Sequence, residues 1–229
     1  MIRSATPPVT TLTVFSFAPR MRAWAFVQMG LARPLLRSVP GMRFRKLLGT
    51  GRGIGFTLRP DWGRYALLAV WDSEEDAGVF LRSSRFMERY RRRAMHEWTT
   101  ILKTISAHGA WDGLNPFLPS GASSDDGRVG VLTRATIRPG RLRPFWKMVA
   151  PISEALERAE GLECSIGIGE IPFIRQATLS IWSDHDAMKR FAYADPVHRG
   201  VVERTRAESW YAEELFARFA VIHVSGQLR

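Results

Sequence analysis

The 229-residue chain has one cysteine, Cys164, so no internal disulfide framework is possible and a reducing cytoplasm is the expected compartment. Long apolar runs are missing as well. The longest, "YALLAVW" from Tyr65 to Trp71, is far too short to span a bilayer. The opening "MIRSATPPVTTLTVF" lacks an apolar core followed by a small-residue cleavage site, so no signal peptide is expected. Five histidines lie far apart, with no H-E-x-x-H, and C-x-x-C is excluded by the lone cysteine. No Ser-His-Asp arrangement is legible, and no recognised nucleic-acid module appears, which leaves that partner class without support.

What the chain does have is positive charge. Thirty-three Lys and Arg against 22 Asp and Glu give a formal +11, a surface suited to acidic proteins or anionic lipid. Apolar content of 45% is that of an ordinary globular protein.

It also repeats itself. "YALLAVWDSEEDAGVF" (Tyr65 to Phe80) and "QATLSIWSDHDAMKRF" (Gln176 to Phe191) share an apolar run ending in Trp, a cluster of acids, and a helical pattern ending in Phe. Upstream, "GMRFRKLLG" lies opposite "GLECSIGIG". Downstream, "FMERYRRRAMHEWTTIL" lies opposite "HRGVVERTRAESWYAEELF", with Trp98 opposite Trp210. Asp72 with Glu75, and Ser183 with Asp186, stand at capping-box spacing. The later helix of the first half places Met87, Tyr90, Ala94, Trp98 and Ile101 on one stripe, and Arg82, Arg85, Arg89, Arg92 and Arg93 on another.

Each half therefore reads β-α-β-β-α-β, the ferredoxin-like unit. The expected fold is α+β: two tandem ferredoxin-like repeats, 11–111 and 129–226, joined by a Gly/Pro/Ser/Asp-rich linker at 112–128, forming a pseudo-dimeric α/β barrel. Pressing the two open sheet faces together is expected to leave an apolar chamber between them. One difference between the copies stands out. Gly49 to Trp71 spans nine more residues than Gly169 to Trp182, and the excess carries G-x-G-x-G-x-G from Gly49 to Gly55. That pattern is neither a dinucleotide fingerprint nor a P-loop, and it reads as a flexible lid. Cys164, in a strand, reads as a buried, inert thiol. His185 reads as a solvated surface residue. His198, at the start of the last helix, heads an apolar stripe of Val202, Ala207 and Trp210; a structural role and a ligand role both stay open for it.

Several long stretches in order, "FSFAPRMRAWAFVQMGLARPLL", "PGMRFRKLLGTGRGIGFTLRPDWGRYALLAVWD", "VLTRATIRPGRLRPFW", "CSIGIGEIPFIRQATLSIWSD" and "ELFARF", resemble the spheroidene monooxygenase family, the acyclic carotenoid 2-ketolases. The resemblance implies an oxidoreductase that oxidises an apolar carotenoid such as spheroidene at C2 with O2, through two successive hydroxylations, with electrons from reduced ferredoxin or a similar donor. It also implies haem, and hence iron, as cofactor, held against a sheet with a helix-borne histidine below the metal. His198 is the metal ligand this suggests. Arg64 and Arg175, at equivalent places before the third strands, are candidates to polarise oxygen or anchor a haem propionate, against the commoner role of a salt bridge. No further catalytic residue is assigned. Two other readings remain: a cofactor-independent barrel monooxygenase, and a haem or apolar-ligand binder without catalysis. The basic helix stripe suggests peripheral attachment of a cytoplasmic protein to anionic membrane.

Overall fold

The computed structural model describes residues 7–55, 57–123 and 127–228. The first half runs β1 (Val9–Phe17), α1 (Arg22–Leu31), β2 (Met42–Gly51), β3 (Pro60–Trp71), α2 (Glu74–Ser83), α3 (Arg85–Arg91) and β4 (Ala94–Gly109). The second runs β5 (Val129–Ile137), α4 (Leu142–Glu157), β6 (Leu162–Ile171), β7 (Arg175–Trp182), α5 (His185–Lys189), α6 (Pro196–Ala207) and β8 (Tyr211–Gly226). The α+β reading as two ferredoxin-like repeats holds. Their strands close into one barrel in the order β1-β3-β2-β6-β7-β5-β8-β4, every neighbour antiparallel.

The repeated Trp and Phe have a packing reason. Trp71 ends β3 and its ring lies 4.9 Å from Phe80 on α2; Trp182 ends β7 and lies 5.3 Å from Phe191. Each indole donates to a hydroxyl on its own sheet, Trp71 Nε1 to Thr11 Oγ1 and Trp182 Nε1 to Ser180 Oγ. A Trp so placed buries a large apolar face while its one donor is satisfied. The helix caps lie one residue beyond the expected pair: Ser73 accepts from the Asp76 amide, and Asp184 from the Ala187 amide.

Two glycines let the halves join. Gly109 ends β4 and Gly226 ends β8, both with positive φ, and a Cβ on either would fall about 2 Å from a backbone carbonyl, that of Glu214 or Glu97. Those two glutamates are equivalent positions, each facing the first strand of its own repeat. The β4–β8 seam thus runs from Trp98 opposite Gly226 to Gly109 opposite Leu215, whereas the β2–β6 seam rests on Gly49–Gly169 and Thr50–Ile168.

Two expectations are corrected here. The helical stripe said to run on to Trp98 and Ile101 stops: α2 and α3 break at Ser84, and β4 begins at Ala94. Trp98 faces the barrel interior, while Trp210 lies outside it under α6, so the two are not equivalent. The register instead matches Trp98 with Leu215. Nor, among the described residues, is there an apolar chamber between the sheets. The interior is filled by Leu12, Leu68, Leu132, Ile166, Leu179, Phe219 and their neighbours, all essentially inaccessible. An eight-stranded barrel is just wide enough for its own side chains. Even the gap at one end, lined by Leu48, Trp111, Arg134 and Ala177, leaves no space for a water. Any room for a ligand must lie outside the sheet.

Candidate active site

Strand alternation sends every second side chain outward, beneath the helices. In the first half this outer face is well filled. Two cross-strand rows read Leu47, Leu67, Thr13, Thr99 and Gly49, Tyr65, Phe15, Glu97. With α1, α2 and α3 they form one continuous core from Val9 to Phe17 and out to Phe86 and Tyr90.

The equivalent rows of the second half read Gly167, Thr178, Thr133, Phe216 and Gly169, Gln176, Ala135, Glu214. Leu47 has become Gly167, Leu67 has become Thr178, and Phe15 has become Ala135. Over β5, β6 and β7 the floor is cut down to small side chains. The apolar layer above it, among the described residues, falls into two separate clusters. One gathers Val129, Leu156, Trp182 and Met188 under α5; the other gathers Ile137, Phe145, Val201 and Trp210 between α4 and α6. Thr133, Thr178 and Ser180 belong to neither and are only half-buried. The covering helices differ too. Where α2 passes to α3 through a capped break, α5 passes to α6 through a π-helical stretch at Arg190–Ala194, a distortion frequent at functional sites.

Arg218 brings a cation to this face. Arg218 of β8 pairs with Val131 of β5, so it points outward where the first half has Ile101. Its Nη1 lies 3.3 Å from His185 Nε2, and its Nε donates to Ser106 Oγ at 3.2 Å. A guanidinium only donates, so the imidazole nitrogen is the acceptor. His185 is therefore half-buried and engaged, not the solvated residue expected.

The long β2–β3 loop reaches across to the same place. Ile54 packs into the Leu156–Trp182–Met188 cluster, and a Cβ on Gly55 would lie 3.4 Å from Leu156 of α4. Gly53 and Gly55 take positive φ, which lets the turn hook over. The expected lid is thus a strap from the first half lying on the helix layer of the second.

No protein-family model matches the chain. Relatives do. The chain is 39% identical over 222 residues to the spheroidene monooxygenase of Rhodobacter capsulatus, covering 96% of this chain and 92% of that protein. It is 36% identical over 228 residues to that of Rubrivivax gelatinosus, covering 96% and 88%. The chain belongs to the spheroidene monooxygenase family. As a member it is an oxidoreductase of the monooxygenase class. An aldoxime dehydratase crystal structure shares the fold at a TM-score of 0.62 and 10% identity, over 96% of this chain and 82% of that one. Another, in complex with butyraldoxime, gives 0.61 at 10% identity, over 95% and 80%.

In this spheroidene monooxygenase relative the residues singled out from sequence are scattered. His198 lies in α6, whose Val201 and Thr205 are buried and whose Val202 and Ala207 are half-buried and exposed; the His198 side chain lies outside the described residues. Arg64 and Arg175 have the strand parity of the barrel interior. Arg64 Nε lies 2.9 Å from Asp61 and its Nη2 donates to the Gly51 carbonyl, clasping the base of the strap. Arg175 lies 3.1 Å from Asp112. Cys164 is half-buried, and desolvation pushes its thiol up to about 11, the inert behaviour expected. Among the described residues no group of three His, Cys, Asp or Glu could hold a bare metal ion, and no helix is long and apolar enough to cross a membrane.

Sequence reasoning missed a buried ion cluster at the Trp111 end of the barrel. Arg134, 1% exposed, pairs with Glu213 and lies over the Trp111 ring. Lys46 bridges Asp112 and Glu170, and Trp111 Nε1 donates to Glu170. The Lys46 hydrogen bond holds the Asp112 carboxyl below its usual range. For Glu213, burial pushes upward, but the Gly113 amide and Arg134 together hold it low. These groups join β2, the linker and all four strands of the second half except β7, which Arg175 ties in through Asp112.

Proposed function

We propose that the protein is a haem-dependent monooxygenase that takes an acyclic carotenoid such as spheroidene to its 2-keto product. The observation that carries this reading is the reduced second sheet: Gly167, Thr178 and Ala135 stand where Leu47, Leu67 and Phe15 fill the first. A floor of small side chains beneath a divided helix layer suits a flat, largely apolar group. His198 would be the residue that holds its iron, since helical periodicity carries position 198 onto the stripe of buried Val201 and Thr205. When bound, haem supplies the activation of dioxygen.

The chain's own groups do the rest. Arg218, held by Ser106 and His185, would present a fixed donor set to negative charge developing on oxygen. Thr133, Thr178 and Ser180 line the adjacent floor with hydroxyls. The strap at Ile54 and Gly55 shields the layer from water. Arg64 and Arg175, engaged with Asp61 and Asp112, stay outside this reading.

Each hydroxylation consumes one O2, two electrons and two protons and releases one water. Two at the same carbon give a geminal diol, which loses water to the ketone. The electrons come from reduced ferredoxin or a similar acidic donor, for which a +11 chain is a suitable partner. Attachment to an anionic membrane would bring the enzyme to a substrate that dissolves there.

Absorption spectroscopy on protein produced with ample haem tests the reading. A Soret band that shifts on reduction, lost in His198→Ala with the circular dichroism unchanged, is the expected result. A colourless protein that still oxidises the carotenoid would replace this reading with cofactor-independent chemistry. Stoichiometric haem without turnover in the presence of reductant, O2 and carotenoid would reduce the protein to a binder.

A further inference from the structure

Of the thirteen large apolar side chains that stand exposed among the described residues, six lie on segments around one seam. Phe26 and Val27 of α1, Leu58 of the strap, Trp62 of β3, and Ile171 and Phe173 of the β6–β7 hairpin are each between 43% and 55% exposed. They come from both halves, and the three aromatics line one cleft over the short β2–β6 seam. Phe26 and Trp62 stand edge to face at 5.8 Å. Phe173 touches Trp146 of α4 edge to face at 6.1 Å, and the Trp146 indole donates to the Phe173 carbonyl. Between them opens a cleft of about 180 Å³ with Phe26, Trp62 and Phe173 at its sides and Thr50, Ile168 and Gly169 on the seam beneath.

Scattered exposed hydrophobes are normal, but a clustered set with aromatic tips is a contact surface. The charges around it identify the partner. Arg22, Arg52, Arg59 and Lys147 are exposed and make no ion pair among the described residues. The two acids at the cleft are already matched, Asp61 by Arg64 and Glu170 by Lys46. Cations without an ion pair among the described residues also stand on the helix stripe, Arg82, Arg85, Arg89 and Arg93 among them, but α2 and α3 bury their aromatic rings and present none beside those charges. A rim of uncompensated cations around Trp, Phe, Leu and Ile has the chemistry of a membrane interface, where aromatic rings settle among headgroups and Lys or Arg meet anionic phosphates.

We propose that this seam face docks on an anionic lipid bilayer, with Phe26, Trp62 and Phe173 entering the headgroup layer and the cleft mouth held against the lipid. The basic helix stripe is not the docking face. The surface stands independently of the haem assignment; with the proposed carotenoid substrate, it would place the entry to the seam where that substrate is dissolved.

Co-sedimentation with vesicles containing phosphatidylglycerol tests it on the full chain without substrate. Wild-type protein is expected to partition to the vesicles, and Phe26→Ser with Trp62→Ser to lose that partitioning about 10-fold or more. Both side chains are exposed, so the fold survives, which circular dichroism checks. Brominated lipid should quench wild-type tryptophan emission more than that of Trp62→Ser. An equal quench, undiminished binding by the double variant, or no wild-type binding to anionic vesicles would overturn the proposal. So would a wild-type dimer in sedimentation velocity that the double variant disperses, because a second copy would then be the occupant. None of these readings uses the Soret band, so the docking face and the haem assignment fail separately.

Discussion

The two helix–sheet layers come from the same β-α-β-β-α-β plan, yet one is a continuous core and the other is divided. In the first, Phe15, Tyr65, Leu67 and Trp71 knit the sheet to α1, α2 and α3. In the second, Ala135, Gln176 and Thr178 take three of those places, and the apolar residues withdraw to the two ends. The lesson is a division of labour. A duplicated fold can keep one copy as scaffold and thin the side chains of the other, because the long β4–β8 seam and the shared interior carry stability for both.

The largest effect is expected where the scaffold copy is made to imitate the one with the smaller side chains. Phe15→Ala gives the first sheet the residue that Ala135 supplies in the second, and should cost about 3–5 kcal/mol in urea unfolding. A loss under about 1 kcal/mol would mean that the first layer is no better packed than the second, and the comparison would collapse. The reverse exchange comes next. Thr178→Leu restores the Leu67 pattern to the second sheet; stability should move by about 1 kcal/mol or less, while ligand binding and turnover fall about 10-fold or more. Unchanged turnover would show that the small-residue floor is not the site.

Arg218→Ile copies Ile101 and should lower kcat with KM and fold little altered, about 10-fold or more, if the proposed contact of Arg218 with developing charge is made. Equal loss in kcat and thermal stability would reassign Arg218 to structure. The smallest expected difference is in acid. Folded Asp112 and Glu213 have depressed carboxyl pKa values, so their contribution is complete above the unfolded value near 4 and fades as pH falls through the folded values. Hydrogen exchange should therefore loosen β5 and β8 before β1 and β3 as pH drops below about 4. Simultaneous loosening would remove the ion cluster from the comparison.

Much of this was legible before any coordinates. The Trp–Phe spacing exposed the repeat because the same indole-on-ring contact is needed at each strand end. The start of β4 was not legible: Trp98 and Leu102 face the barrel while Thr99 faces the helices, and with both faces buried no polar alternation marks a strand. The caps slipped by one residue because "DSEED" and "SDHD" offer several oxygens within one turn. The reduced floor was half visible, since Leu47 against Gly167 can be read from "GMRFRKLLG" and "GLECSIGIG", but its continuation through Thr178 and Ala135 needs strand register. Arg218 was hidden by setting Trp98 against Trp210. In the true register it replaces Ile101, and a cation where the sister strand carries isoleucine would have drawn attention to it.

The unequal seams give the barrel a mechanical character of its own. A cylinder zipped along one side for most of a strand, and buttoned at Gly49–Gly169 and Thr50–Ile168 on the other, has a hinge and a latch. Thermal breathing will part the latch first, and the strap lies directly beside it. Whatever loosens the barrel should therefore begin at those two backbone pairings, with no need to melt a helix or rotate one half against the other.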